Sequence, residues 1–163
     1  MSIKNIKSNT QAQSGFTIVE LLIVVVVIAI LAAITIVSYN GITSKANASA
    51  AQSTASALQK KAELYAADGD TGQYPKNIAV LTGASSSKAF YVATGSINAT
   101  AADAPTASNG KNTVQYQPCG TGTAASTMSS VIGAKITWYD FANAGALKVI
   151  NVGDTSTNCV AVN

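Results

Sequence analysis

The chain divides by polarity before anything else. Residues 1–15 are polar, with Lys4 and Lys7 and no acid; from Leu21 to Ile34 no residue is polar; after Val37 polarity returns with Ser38, Tyr39 and Asn40. The apolar stretch from Phe16 to Val37 is about 22 residues, or ~33 Å as an α-helix, long enough to cross a bilayer. One residue breaks its pattern. Glu20 sits at the front of the run, five residues after Gly15. A charge at bilayer depth costs roughly 2.5–3.5 kcal/mol on insertion scales, so a chain that needed only an anchor would gain by losing Glu20. The carboxylate therefore calls for a partner that a lone membrane helix does not supply.

Further on, the pattern narrows to one face. Between Ser44 and Asp68, the residues Ala48, Ala51, Ala55, Leu58, Ala62 and Tyr65 recur at spacings of three and four, opposite Gln52, Ser53, Ser56, Lys60, Lys61 and Glu63. Gly41 alone separates the two stretches, and one isolated Gly costs a helix only about 1 kcal/mol. The reading is one helix from about Phe16 to about Ala67, packed on a sheet by its Ala-rich face. Asp68-Gly69-Asp70 would stop it, with Gly69 as a left-handed cap. Residues 68–87 read as irregular, with a turn at Tyr74-Pro75 and one helical turn from Lys76 to Leu81. Strands are expected at Ala89–Thr94, Thr113–Gln117, Ala134–Phe141 and Ala146–Val152, the last two joined as a hairpin through Ala142-Asn143-Ala144-Gly145. Ser96–Lys111 reads as a surface loop. A long helix followed by a small antiparallel sheet is an α+β layout.

Composition removes much of chemistry. All ten basic residues are Lys, there is no His, and the net charge is +3. Without His the commonest general base and metal ligand is missing, and Ser-based triads have no base. Gly120-Thr121-Gly122 lacks a following phosphate-binding Lys and reads as a turn. Asp68 and Asp70 do not fit an EF-hand, because Gly72 takes a ligand position and Gln73 the Gly position. Asp140, after Trp138-Tyr139, reads as a strand-end acid. No enzyme activity, cofactor or metal is expected. Scattered lysines leave little electrostatic footprint for DNA. Asn47 and Asn98 each begin a glycosylation sequon, a pattern frequent by chance. Cys119 and Cys159 in an exported domain most simply form one disulfide closing a loop of about 40 residues; the other reading is two unrelated thiols.

Three processing schemes compete at the N-terminus. A secretory signal cut near Ala32-Ala33 and a permanent anchor both leave Glu20 unexplained. A cut after Gly15 keeps the apolar helix and creates an ammonium at Phe16, four residues from Glu20. In a packed array, that ammonium and a neighbour's carboxylate could neutralise each other. The string Gly15-Phe16-Thr17-Ile18-Val19-Glu20-Leu21-Leu22-Ile23-Val24-Val25 resembles the class III signal of type IV pilins and pseudopilins. The likeness is specific over residues 1 to about 40; the rest matches only in layout.

That resemblance implies a cleaved leader at 1–15, a membrane and assembly helix at 16–40 and a globular head at 41–163. A prepilin peptidase would cut between Gly15 and Phe16 and methylate Phe16. Glu20 would pair with the Phe16 ammonium of an adjacent subunit. The expected partners are identical subunits, the peptidase, the pilus assembly machinery and the cytoplasmic membrane. The basic leader favours an N-terminus inside the cell, with the subunit later moving to an extracellular filament. The leading expectation is a structural subunit, a major pilin, of a type IV pilus serving adhesion, motility or DNA uptake. The alternatives are a type II secretion pseudopilin, a minor pilin, or a membrane-tethered binding domain that never polymerises. Many family members carry a mid-span Gly and a later Pro where this chain has Ala29 and Val37. Since Gly weakens and Pro breaks a helix, this helix should melt less on assembly.

Overall fold

Helix α1 runs from Ile18 to Asp68 and is unbroken at Ala29, Val37 and Gly41. The computed structural model describes residues 15–94, 97–100, 104–110, 113–143 and 145–160. The basic leader with Lys4 and Lys7 lies outside them. The chain divides between Asn40 and Gly41 into two compact units. In the first, every described residue is exposed. Even Val27, the best covered of its large apolar residues, keeps 48% of its surface, and Phe16 keeps 89%. This is the one helix among the described residues long and apolar enough to span a membrane, and it fits a membrane anchor.

The second unit buries what the first leaves bare. Ala48, Ala51, Ala55, Leu58 and Ala62 form the buried stripe of α1. Their small side chains let the helix backbone approach the sheet, and the sheet supplies the volume through Tyr116, Ile136, Trp138, Val114 and Val152. The Tyr116 hydroxyl donates to the carbonyl of Pro75 at 2.8 Å, and burial pushes this phenol's pKa well above its ordinary range.

After α1 the chain forms one turn of helix, α2 (Ala79–Thr82), then β1 (Asn98–Thr100), β2 (Thr113–Thr121), a 3₁₀ turn at Ala125–Thr127, β3 (Ser130–Asp140) and β4 (Ala146–Gly153). The sheet order is β1-β2-β3-β4. The pairs β2–β3 and β3–β4 are antiparallel, whereas β1 lies parallel to β2 through Asn98↔Thr113 to Thr100↔Gln115. The fold is α+β: a long helix against a small antiparallel sheet, with one short parallel strand added at its edge. On β4, the last strand in this order, Leu147 and Val149 are exposed and Lys148 stands between them.

Three local expectations need correction. Residues 89–94 form no strand. Lys88 N–H bonds to Ser85 and Tyr91 N–H to Lys88, so the segment turns, and Phe90 and Val92 are buried as plugs beside α1. Part of the expected loop 96–111 is instead β1. At the end of α1, Gly69 is not left-handed: the residue with positive φ is Gly72, at 63°, three residues later in the turn closed by Gly72 N–H to Gly69 C=O.

The β3–β4 hairpin closes on Asp140. Its carboxylate accepts from the Asn143 amide at 2.6 Å and the Ala142 N–H at 3.0 Å. Gly145 has φ of 80°, and a Cβ there would run into the Tyr139 ring and hydroxyl, so the turn needs Gly both for φ and for space. The Asn143 side chain leads in holding the Asp140 pKa below its ordinary value; burial opposes it, and the Ala142 N–H and Lys148 assist. A depressed folded-state pKa gives stability that is present in full above the unfolded value, about 3.9, and is lost as pH falls through the folded value. Asp154 shifts in the same direction through Ser156. The melting temperature should therefore fall as pH drops below about 4. The fall should be shallower in Asn143→Ala, as thermal unfolding of both proteins from pH 5 to pH 2 would show.

Candidate functional site

The candidate residues Gly15, Phe16 and Glu20 gather at the start of α1, where the polar chain gives way to the apolar run. Thr17 is its N-cap. The first helical hydrogen bond runs from Leu21 N–H to the Thr17 carbonyl at 3.3 Å. The Thr17 hydroxyl oxygen accepts from the Glu20 N–H at 3.2 Å. In return, Glu20 Oε2 accepts from the Thr17 N–H at 2.8 Å and from the Thr17 hydroxyl at 2.7 Å. This reciprocal pair is a capping box, which satisfies two of the backbone donors that every helix leaves open at its start. A carboxylate in the first turn also suits the positive end of the helix dipole.

Glu20 thus has a partner inside its own chain. In the uncut sequence the nitrogen of Phe16 is an amide and carries no charge, so the carboxylate turns to Thr17 instead. The spacing Thr17-x-x-Glu20 was the signal that could have revealed this, because Ser or Thr followed three residues later by Glu before an apolar run marks a helix start. The heavy cost of Glu20 in an apolar setting points outward, to another molecule, and the spacing points to its own turn.

Phe16, Glu20, Leu21 and Val24 border one shallow depression on the helix, so the residue that would become the new N-terminus lies on the same face as the acid. Gly15 precedes the helix in an exposed segment, and a Cβ built on it meets nothing within 4 Å. Its surroundings place no steric demand for Gly, and a requirement for it would come from whatever reads the segment.

The two cysteines lie elsewhere. Cys119, in β2, is bonded to Cys159 across a sequence separation of 40. Around that bridge Gly120 N–H donates to the Asn158 carbonyl at 3.0 Å and Val160 N–H to the Pro118 carbonyl at 3.1 Å. The bridge therefore fastens the C-terminal segment alongside β2. Among the described residues no group of three or more His, Cys, Asp or Glu is placed to hold a metal ion.

Residues 10–36 match the family model of the prokaryotic N-terminal methylation motif. The match begins in the polar N-terminal segment, runs through Gly15, Phe16 and Glu20, and ends within the bare half of α1. The chain carries the class III signal of type IV pilin-like proteins, a signal that implies processing by a prepilin peptidase and handling by pilus assembly machinery. No solved structure matches the chain.

Proposed function

We propose that this protein is the filament-forming subunit, a major pilin, of a type IV pilus, held in the membrane until it is drawn into a helical homopolymer. One observation supports this reading above the rest. The part of α1 before Ala48 has no buried residue and carries a single carboxylate, Glu20, placed at the first turn directly behind a peptidase motif. Membrane lipid can cover the apolar surface before assembly. In a filament, packed copies of the same helix take the lipid's place, and the heads face outward. A head-to-tail contact that does not close on itself generates an open fibre.

The capping box gives the proposed assembly step its order. Before cleavage Glu20 is held by Thr17. After cleavage the Phe16 ammonium becomes available, and a neighbour's Glu20 can exchange hydrogen bonds from uncharged donors for an ion pair with a full positive charge. Nothing in this step needs a nucleotide site on the chain; work for extraction would come from the assembly machinery. The head is a structural coat and not a catalyst, and adhesion, movement or DNA uptake would be functions of the finished fibre.

Intact-mass spectrometry of filaments sheared from the cell surface tests the proposal. The expected species begins at Phe16, carries one added methyl group and contains the Cys119–Cys159 bond. Filaments lacking this chain, or a chain that starts elsewhere, would reject it.

A further inference from the structure

A cleft of about 340 Å³ opens where α1 ends, in the head. Its walls are Tyr65, Tyr74 and Phe90, and Thr71, Gln73 and Lys76 line its polar side. The size is within the range of small-molecule sites, which combine apolar or aromatic walls with a few convergent polar groups.

The walls are fixed by the fold. Tyr65 and Phe90 meet edge to face, with ring centroids 5.1 Å apart. Tyr74 lies against Gly153, where a Cβ would run into its ring, and its backbone N–H donates to the Val131 carbonyl at 2.9 Å. Lys61 reaches from α1 to the Ala89 carbonyl at 2.6 Å, which ties the segment bearing Phe90 to the helix. The polar groups are not used up in this way. Among the described residues, the hydroxyls of Tyr65, Tyr74 and Thr71 and the amide of Gln73 have no hydrogen-bond partner in the protein. Each of the four can donate and accept.

Charge narrows the choice of ligand. Asp68 also lines the cleft, but it is already paired with Lys88 at 2.8 Å. The Lys88 ammonium stands 5.9 Å from the centre of the Phe90 ring, so this ring already has a cation of the protein's own beside it. Lys76 adds further repulsion toward cations. A ligand that stacks on aromatic rings while exchanging several neutral hydrogen bonds suits the site better. A pyranose has both properties: its C–H face carries partial positive charge toward the negative face of an aromatic ring, and its hydroxyls donate and accept in turn. The geometry points to a binding site for a neutral sugar residue between Tyr65, Tyr74, Phe90 and Gln73. This site is separate from the N-terminal turn and does not depend on polymerisation.

The test uses the full mature chain, solubilised in a detergent without a sugar headgroup, and saturation-transfer NMR observed on the ligand. The probes are methyl β-D-glucopyranoside, methyl β-D-galactopyranoside and, as the contrasting ligand, choline. At least one glycoside should receive saturation, with half-saturation on the order of millimolar. Binding should weaken tenfold or more in the double variant Tyr65→Phe, Gln73→Ala, which keeps every aromatic wall and removes only unpaired polar groups. Tyr74→Ala should abolish it, but Tyr74 also packs on Gly153, so the double variant carries the decision. No transfer to either glycoside, preference for choline, or undiminished binding in the double variant would overturn the assignment.

Discussion

Replacing Glu20 with Gln should leave a folded, membrane-inserted subunit that no longer enters filaments. The amide oxygen of Gln can still accept from the Thr17 N–H and hydroxyl, and Gln serves in capping boxes as Glu does. The first turn of α1 should therefore survive, and membrane residence should be favoured by the loss of a charge. What disappears is the only acid in the apolar half of the helix. In a filament, the neighbour's Phe16 ammonium would then lie among apolar side chains without a counter-charge. Removing one partner of a buried ion pair costs about 3–5 kcal/mol, and each 1.4 kcal/mol is about tenfold in an equilibrium, so filament yield should fall by two orders of magnitude or more.

Thr17→Ala is the matching control. It removes the capping hydroxyl, a loss of about 1 kcal/mol, and leaves Glu20 charged and held only by the backbone N–H of residue 17. Filaments should persist at reduced yield, with faster hydrogen exchange confined to the first turn of α1. Immunoblots of sheared filaments against whole-cell protein would compare the two variants. Wild-type yield from Glu20→Gln would remove the charge pair from the mechanism. Equal failure of both variants would transfer the essential role from the charge to the cap.

The second large effect is expected at Cys159. Cys159→Ser opens a loop of 40 residues, and the chain-entropy model assigns such a closure about 4 kcal/mol, within a usual range of about 2–4 kcal/mol. Few other bonds would keep the C-terminal segment in place. Gly120 and Val160 contribute the backbone bonds at Pro118–Gly120, and the Asn158 side chain donates to the Gly122 carbonyl at 3.2 Å. Once released, the segment would uncover Cys119, which is fully buried. The head's melting temperature should drop by roughly 10 °C or more, and reducing agent should bring the wild type to the same value. A melting point that neither treatment moves would show that the bridge leaves head stability unchanged.

The helix was legible because two independent patterns agreed along it: an uninterrupted apolar run, then alanines at spacings of three and four. Neither depends on distant parts of the chain. The β3–β4 hairpin was legible for a similar reason, since Trp138, Tyr139, Val149 and Ile150 favour strands and a Gly-containing turn separates them. β2 was harder. Only Thr113–Gln117 was expected, and the strand continues to Thr121 through Pro118, a residue that argues against strand by itself. Pro118 is tolerated because β1 pairs only as far as Gln115, so the ring, which has no N–H to offer, lies beyond the reach of that ladder.

Where the reading failed, tertiary contacts had decided the outcome. Phe90, Tyr91 and Val92 have strand propensity but no neighbouring strand to pair with, and burial against α1 uses their apolar surface in a turn instead. Asn98–Thr100 has little strand propensity and becomes β1 because β2 offers it a partner. At the functional end, Gly15, Phe16 and Glu20 stood out in the sequence, since a lone acid in an apolar run is costly wherever it occurs. Thr17 did not, because its contribution is a hydrogen-bond geometry and not an expense. The cleft at the end of α1 could not be foreseen at all: it takes Tyr65 from the helix, Tyr74 from a turn and Phe90 from a segment that had been expected to be a strand.

Lys148 bears on how such a protein survives at high local concentration. Ala146 to Val152 reads Ala-Leu-Lys-Val-Ile-Asn-Val, and Leu147 and Val149 are exposed on this last strand of the sheet. Without the lysine, the same seven residues would have high β-propensity, no charge and no Pro, which is the composition that stacks into amyloid-like zippers. One ammonium per copy makes edge-to-edge stacking place like charges side by side, the device by which sheet proteins guard their open edges. In the proposed filament, where copies join through the helix, Lys148 would keep a second, unwanted route to polymer closed.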